Sequence, residues 1–283
     1  MKHILTLATL VFTTACFGQE ACPELWTACG EGTIWDEESQ TCIVANVSDT
    51  DFDGCVGIND FLIHLANFGT GCGPWVCGDL LQYKGYWYST VEIGDQCWFA
   101  ENLRVMTYRN GEAIPTDLDD EAWSTTSSGA MAIHSGVDPV EALSLYGRLY
   151  NLYAVLDERE LCPEGWSVPS HGEFQVLGAH LGGNIIAAGK MKATSGWCAP
   201  WPGGDGNGDN SSGFGALPGG ARGPNGEYDS WYSAGCNGYW WTTSEYAGGG
   251  FWRRIITAGS AQINTSPAGA QHGFSVRCIQ DSE

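Results

Sequence analysis

Twelve cysteines constrain this 283-residue chain more than any other feature of its sequence. Residues 1–15 place one lysine before a short apolar run that ends in small residues, the pattern of an export signal. Cysteines of an exported chain are expected to form disulfides rather than metal thiolates. Spacing does not fix their connectivity, and proximity favours five pairs while leaving Cys22 over. The expected pairs are Cys29–Cys42, Cys55–Cys72, Cys77–Cys97, Cys162–Cys278 and Cys198–Cys236.

The export signal has two interpretations. Cleavage after Gly18 gives residues 1–18 as a signal peptide. In the alternative, Cys16 is acylated as in a lipoprotein, although Thr13 stands where such signals usually carry leucine. No later run is long and apolar enough to cross a bilayer. We expect a secreted or cell-surface protein, located in the periplasm, on the outer membrane or in the medium.

The chain is strongly acidic. Its formal net charge is −21 at pH 7, from 33 acidic and 12 basic side chains. Such a chain is repelled by nucleic-acid phosphates and by anionic lipid. We therefore expect no nucleic acid and no membrane surface as partners.

Two small modules precede the main body. Residues 19–46 are cysteine-spaced and glycine-turned, which predicts a disulfide-pinned hairpin that serves as a spacer. Residues 47–73 hold an acidic loop in which Gly54 occupies the position of the sharp turn. Calcium needs about six to eight oxygen ligands around one point, which this spacing supplies. The alternative is an acidic turn before a helix. The expected calcium ligands are Asp49, Asp51, Asp53, the Cys55 carbonyl and Asp60.

The acidic loop resembles one repeat of a dockerin module, in which an apolar helix follows the calcium loop. Here four apolar residues between Phe61 and Phe68 follow at helical spacing, and Gly69 ends the run. Dockerins that bind cohesin have two such loops, whereas this chain has one. The resemblance implies calcium as a cofactor, and a stabilising half-dockerin is expected rather than cohesin docking.

Residues 75–281 form the main body, whose patterns predict an α+β fold with two helices, short antiparallel strands and long loops. Alternation around Gly94 predicts a hairpin between Tyr83 and Arg104. Asp138 and Pro139 start a helix that we expect to run through Leu156. A capping box from Ser170 to Glu173 starts a second helix, ended at Gly182. A glycine-rich loop spans residues 203–220, and the predicted strands after it are 238–246, 250–258, 261–265 and 273–280.

Six ordered segments give the main body a family resemblance. They are Ile93–Leu103, Tyr146–Asn151, Leu161–Pro169, Ser212–Arg222, Gly238–Glu245 and Gly273–Cys278. Together they resemble the Fibrobacter succinogenes major paralogous domain of exported proteins from Bacteroidetes-type bacteria, over roughly residues 80–281. The resemblance implies a fold similar to C-type-lectin-like domains and to the formylglycine-generating-enzyme group. It does not imply a settled activity.

No catalytic pattern is visible in the main body. There is no Gly-x-Ser-x-Gly and no His-Glu-x-x-His sequence. Glu101 and Glu245 are the remaining candidates for a glycosidase carboxylate pair, and a structural role as hydrogen-bond acceptors is expected instead. We predict that the protein is not an enzyme.

Aromatic residues are the main candidates for ligand binding, since flat rings pack against the apolar faces of sugars. Eight of them fall between Trp231 and Trp252, and the alternation of strand side chains puts at least half in the core. Trp231 and Tyr232, on a loop, are the expected ligand-binding residues. Asp209 and Asn210 are candidates for a second calcium site together with Asp205 and Asn207; the alternative is a loop of turn-forming residues.

Three functions follow in order of preference. The first is a non-catalytic binding or adhesion protein that recognises extracellular polysaccharide or a surface protein through a lectin-like domain. The second is a structural component of a cell surface or scaffold, with no small ligand. The third is a carbohydrate-active enzyme.

Overall fold

The computed structural model divides the chain into two compact units, residues 1–76 and 77–283, each described by itself. In the first unit, strands β1 (Thr33–Asp36) and β2 (Thr41–Val44) pair antiparallel within the segment where the spacer hairpin is predicted. Only their backbone is described. The other described residues are 75–134, 138–200, 203–228 and 234–282.

The second unit mixes strands and helices. Its described strands are β3 (Leu80–Tyr83), β4 (Tyr86–Ile93), β5 (Gln96–Phe99), β6 (Met131–Ala132), β7 (Leu149–Tyr150), β8 (Trp166–Ser167), β9 (Asn237–Glu245), β10 (Phe251–Thr257), β11 (Asn264–Ala268) and β12 (Ile279–Gln280). Its described helices are α1 (Asp120–Thr125), α2 (Pro139–Tyr146), α3 (Leu152–Val155), α4 (His171–His180) and α5 (Asn184–Met191).

The strands form antiparallel sheets, as predicted. One sheet has the order β3-β4-β5-β12-β8, a second has the order β11-β10-β9, and β6 pairs with β7. The predicted hairpin around Gly94 is confirmed as β4–β5. The preceding β3–β4 hairpin turns at Lys84 and Gly85, whose φ angles of 52° and 81° suit the twist of a tight hairpin.

Helix α2 begins as predicted, with the Asp138 side chain accepting from two backbone N–H groups and Pro139 in the first turn. The prediction that it continues to Leu156 is wrong. It ends at Tyr146 because Gly147 has φ 72° and packs where a Cβ atom would lie 2.8 Å from the Leu103 carbonyl oxygen. The chain then forms β7, and α3 starts as a separate helix.

The capping box of α4 is confirmed, with Ser170 and Glu173 each accepting a backbone N–H of the other. The number of predicted helices is too small, because α1 and α5 are not predicted and α3 is joined to α2 in the prediction. Helix α5 has Gly183 at its N-cap and no side-chain capping bond, so it lacks a start signal. Its Ala187, Ala188 and Met191 are buried, and packing therefore supplies what the cap does not.

The C-terminal strands agree only partly with their predictions. Strands β9 and β10 lie at the predicted positions, while β11 begins at Asn264 rather than at residue 261. Of the predicted strand 273–280, only β12 joins a ladder. Phe274 and Ser275 instead make single bridges to Tyr150 and Trp240, because this segment passes between partners of different sheets.

One hydrophobic core lies between the sheets and α4 and α5. It includes Trp98 of β5, Phe174 of α4 and Trp240 of β9, and Phe214 packs among them with ring centroids 5.8 to 6.4 Å apart. Both Trp240 and its neighbour Trp241 are buried, although they point to opposite faces of β9. Strand β9 is therefore covered on both faces.

A polar network lies at the centre of the second unit. The Asn102 side-chain oxygen accepts from the Trp240 indole at 2.9 Å and from Arg277 Nε at 3.0 Å. Asn102 donates to the Tyr146 carbonyl and the Ser275 hydroxyl. The Arg277 guanidinium also donates to three carbonyl oxygens, those of Phe99, Phe214 and Gly215. We call Asn102, Trp240, Ser275 and Arg277 the Asn102–Arg277 network.

Three disulfides occur in the second unit. They are Cys77–Cys97, Cys162–Cys278 and Cys198–Cys236, which are three of the five expected pairs. The remaining two expected pairs involve residues whose side chains are not among those described. The disulfides are consistent with an extracellular location. Within the described part of the chain, no helix has the length and apolarity needed to cross a membrane.

Candidate functional site

The tip of the β9–β10 hairpin is built around a run of glycines. The Tyr246 N–H donates to the Gly250 carbonyl, and the Gly249 N–H donates back to the Tyr246 carbonyl. Gly249 and Gly250 both have positive φ, and a Cβ on Gly250 would lie 2.6 Å from the Ala268 carbonyl oxygen. The glycines thus allow a tight tip flanked by aromatic residues.

Trp252 lies next to this tip, opposite a bulge in β9. The β9–β10 register shifts between Phe251 and Arg253, and the Thr242 hydroxyl donates to the Trp252 carbonyl at 2.7 Å. Bulges reorient a side chain relative to the regular ladder. The centroid of the Trp252 ring lies 4.6 Å from the Tyr246 ring centroid and 4.8 Å from the His171 ring centroid. All three rings are half-buried, so they keep solvent-facing surface. We call them the hairpin-tip cluster.

His171 connects this cluster to the start of α4. Its backbone N–H donates to the Ser244 hydroxyl at 2.9 Å, and its carbonyl accepts from Arg254 at 2.6 Å. Desolvation and, after it, the nearby Arg254 charge lower the pKa of His171. Among the residues that the structure describes, His171 Nδ1 is enclosed without a hydrogen-bond partner.

An open cleft of about 410 Å³ reaches the same turn of α4, where Glu173 lines it. Its apolar lining is Val155, Leu156, Leu161, Cys162, Trp166 and Val168. Its polar lining is Arg109, Asp157, Glu158, Glu160, Ser167, Glu173 and Thr243. A cleft with apolar walls and a few polar groups is the usual form of a ligand site.

The basic groups at this cleft are engaged by the protein itself. Arg109 donates to the carbonyl oxygens of Cys162, Pro163 and Trp166 at 2.8 to 3.0 Å and also pairs with Glu160. Arg159 binds Asp157 through two hydrogen bonds of 2.7 Å, and these bonds are the main reason that the pKa of Asp157 is lowered. The cleft therefore presents carboxylates and no unengaged guanidinium from these two arginines.

The structure places the predicted loop candidates elsewhere. Asp209 is exposed and accepts from the Ser211 N–H at 2.9 Å; this bonding lowers the pKa of its carboxyl. The Asn210 side-chain oxygen accepts from the Gly215 N–H at 2.8 Å. Asp205 and Asn207 likewise bond within the loop. No group of three or more His, Cys, Asp or Glu residues in the described ranges could hold a metal ion.

Several predicted site residues lie outside the described residues. They are Trp231, Tyr232 and the calcium ligands Asp49, Asp51, Asp53, Cys55 and Asp60.

The two candidate glutamates lie in different settings. Glu101 accepts from the Ser89 N–H at 3.0 Å and binds Arg104 at 2.7 Å, which is the structural role expected of it. Glu245 is exposed at the end of β9, opposite Phe251.

The comparisons with known proteins identify the family. A family model described as the Fibrobacter succinogenes major domain matches residues 91–280. This match covers well over half of the chain, and the protein therefore belongs to that family. Neither the comparison with curated proteins nor the comparison with solved structures gives a match.

Tyr246 and Trp252 are among the eight aromatic residues of this region, but the sequence pattern predicts Trp231 and Tyr232 as the ligand-binding residues. The available signal was the Gly248-Gly-Gly250 turn between Tyr246 and Trp252, which predicts a tight tip with aromatic flanks. The bulge in β9 opposite Trp252 has no such signal, because it depends on the pairing of two strands.

Proposed function

We propose that this protein is an exported, non-catalytic binding or adhesion protein, and that its main domain binds extracellular polysaccharide at the hairpin-tip cluster and the adjoining cleft. The observation that carries the proposal is the half-buried Trp252–Tyr246 pair next to the hairpin tip. Trp252 contacts His171, the first residue of α4, and Glu173 of the same helix lines the cleft. The family match gives the domain but no activity.

The chemistry of the two surfaces suits a sugar. The C–H face of a pyranose ring is apolar and packs on indole and phenol rings, while its hydroxyls need oxygen acceptors and N–H donors nearby. Trp252 and Tyr246 supply the rings. The cleft supplies carboxylates and the Ser167 and Thr243 hydroxyls. The absence of catalysis is supported by Glu101, whose two oxygens are engaged by Ser89 and Arg104.

Two finer features belong to the same proposal. A C-type-lectin-like arrangement is supported by antiparallel sheets flanked by helices and joined by long loops. Calcium bound to Asp49, Asp51, Asp53, Cys55 and Asp60 is supported by the loop spacing alone. In this proposal calcium orders a half-dockerin segment.

The binding proposal is tested by retention of the exported chain on insoluble cellulose, chitin and algal polysaccharides. Trp252→Ala should lower retention on the bound polymer at least about fivefold, taking the contribution of base–aromatic stacking, about 1–3 kcal/mol, as the scale for a sugar ring on one aromatic ring. Trp87→Ala is the matched control, because Trp87 lies on β4 and is 39% exposed. Retention that falls equally in both variants would contradict the assigned surface. No retention of the wild-type chain on any polymer would favour the structural-scaffold function.

The calcium proposal is tested separately by melting temperature. Asp53→Ala should lower the melting temperature in calcium and leave it unchanged in chelator, because a ligand that binds only the folded state stabilises it. Equal shifts in both conditions would show that Asp53 acts without calcium.

A further inference from the structure

In the second unit, some basic side chains are buried, whereas the described acidic side chains are not. The buried basic residues are Arg148, Lys192, Arg222, Arg254 and Arg277. None of the Asp and Glu side chains that the structure describes is buried. A buried cation without a buried carboxylate needs other oxygen acceptors.

Backbone carbonyls are those acceptors. Lys192 Nζ donates to the carbonyl oxygens of Gly206 and Ala258 at 2.7 and 3.1 Å. Arg222 donates to the carbonyl oxygens of Gly226 and Leu118, stacks over the Trp123 ring at 4.4 Å and also pairs with the exposed Asp120 carboxylate at 3.2 Å. These cations stabilise loops, and they are not available to contact a ligand at the surface.

The half-exposed bases nearest the candidate site are engaged as well. Arg109 is held by three carbonyls and Glu160, and Arg159 is held by Asp157 and Glu112. Arg253, although next to Trp252, stacks over Tyr239 and Phe274 instead of joining the hairpin-tip cluster. Among the lining carboxylates, Asp157 and Glu160 pair with Arg159 and Arg109, and Glu173 accepts the Ser170 N–H. The exposed Glu158 is the lining carboxylate without such a partner among the described residues.

An anionic sugar requires cations that can approach its carboxylate or sulfate. At this site it would meet like charges within a Debye length and no uncommitted lysine or arginine among the described lining residues. An amino sugar would be attracted by the same carboxylates. On the basis of the proposed function, we infer that the site selects glycans without anionic groups. Among these, glycans that carry amino groups bind most tightly.

Soluble oligomers with one β-1,4-linked backbone test this selection by calorimetric titration of the full exported chain. The series is a glucosamine hexamer, its N-acetylated form, a glucose hexamer and the C6-oxidised uronate form of that glucose hexamer. We expect the glucosamine hexamer to bind several-fold more tightly than the acetylated form in low salt, and we expect this difference to shrink in high salt. We expect no measurable heat from the uronate hexamer.

Glu158→Gln and Glu164→Gln form a matched pair of variants. Both glutamates are exposed on one stretch of chain, but only Glu158 lines the cleft. Glu158→Gln should lower the preference for the amino-bearing hexamer roughly threefold at low salt, as expected for one unit charge at short range in water. Glu164→Gln should leave it unchanged.

The outcomes separate the two proposals. Binding of the uronate hexamer as tight as that of the neutral one would overturn the selection and leave the polysaccharide-binding function standing. An equal effect of the two glutamate variants would overturn the assignment of selection to the cleft. Failure of all four hexamers to bind, while the chain remains folded, would overturn the polysaccharide-binding function and the selection with it.

Discussion

The Asn102–Arg277 network and the hairpin-tip cluster both place aromatic rings next to an arginine, Arg277 within the network and Arg254 beside the cluster, yet their polar groups differ in how far they are hydrogen-bonded. In the network, Asn102 and Arg277 reach six other residues through hydrogen bonds. At the hairpin tip, His171 Nδ1 and Arg254 Nε are enclosed without a partner in the described part of the chain. The network satisfies its donors, whereas the cluster does not.

The difference separates a fold-determining region from a candidate binding region. A saturated polar network fixes one arrangement of the elements that it joins, and losing one member leaves the others unpaired. Unsatisfied groups beside solvent-facing rings cost stability and are retained in many proteins where a ligand binds. Substitutions in the network should therefore lower stability more than binding. Substitutions at the hairpin-tip cluster should lower binding more than stability.

The largest expected effect is on Arg277. Arg277→Met should lower the free energy of unfolding by about 3–5 kcal/mol, because it removes one of the two donors to the Asn102 oxygen and the guanidinium donor of three carbonyl groups. Urea denaturation measures this change. Arg159→Met is the control, since Arg159 is 34% exposed and its loss should cost about 1 kcal/mol or less. Comparable losses of unfolding free energy in the two variants would contradict the fold-determining role of the Asn102–Arg277 network.

Gly147→Ala should have the next largest effect. The added Cβ would lie 2.8 Å from the Leu103 carbonyl oxygen and 3.0 Å from Asn102 Cβ, at a φ of 72°. We expect a loss of about 1–3 kcal/mol in unfolding free energy, from backbone strain and from displacement of Asn102. Gly85→Ala, at φ 81° but in open space, isolates the strain alone. An equal cost at both positions would mean that Asn102 is not displaced.

Trp252→Ala should lower sugar binding more than it lowers stability. Its half-buried ring is expected to contribute about 1–2 kcal/mol to stability, less than a core tryptophan. Sugar binding should fall at least about fivefold in the same variant. Trp240→Ala, which removes a 1% exposed ring of the network, should instead unfold the domain or cost about 3–5 kcal/mol. A Trp252 variant with lost stability and normal binding would contradict the account.

The smallest effect should come from the titration of His171. Its pKa is lowered in the folded state, so the unfolded chain binds more protons at pH values below about 6.5, and stability should fall as the pH is lowered through this range. His171→Gln should flatten this slope between about pH 7.5 and about pH 5. The pKa of His272 is also lowered by burial, but His272 is present in both proteins and cancels in the difference. An unchanged slope would show that His171 remains solvated.

Sequence reasoning identified the parts of the fold that depend on local chemistry. The cap at Asp138, the capping box at Ser170 and the hairpin at Gly94 each follow from a few adjacent residues, and each is present. The helix that was extended to Leu156 failed because Gly147 is fixed by distant residues. Helix α5 was missed because its burial, rather than a cap, defines it.

The family segments mark the Asn102–Arg277 network rather than the hairpin-tip cluster. Asn102, Tyr146, Phe214, Trp240 and Arg277 belong to five different segments, and they meet in that network. The sixth segment is tied to it by the Cys162–Cys278 disulfide. The family segments therefore mark the architecture, whereas Tyr246, Trp252 and the glycine tip between them lie outside those segments.

The most direct test of the central claim is an NMR titration that follows the tryptophan indole N–H signals as a soluble oligosaccharide is added. We expect the Trp252 signal to shift in proportion to the occupancy of the sugar site. The Trp240 and Trp241 signals should stay in place, because these residues are 1% and 0% exposed. Shifts confined to Trp87, or an unchanged Trp252 signal at saturating sugar, would contradict this expectation.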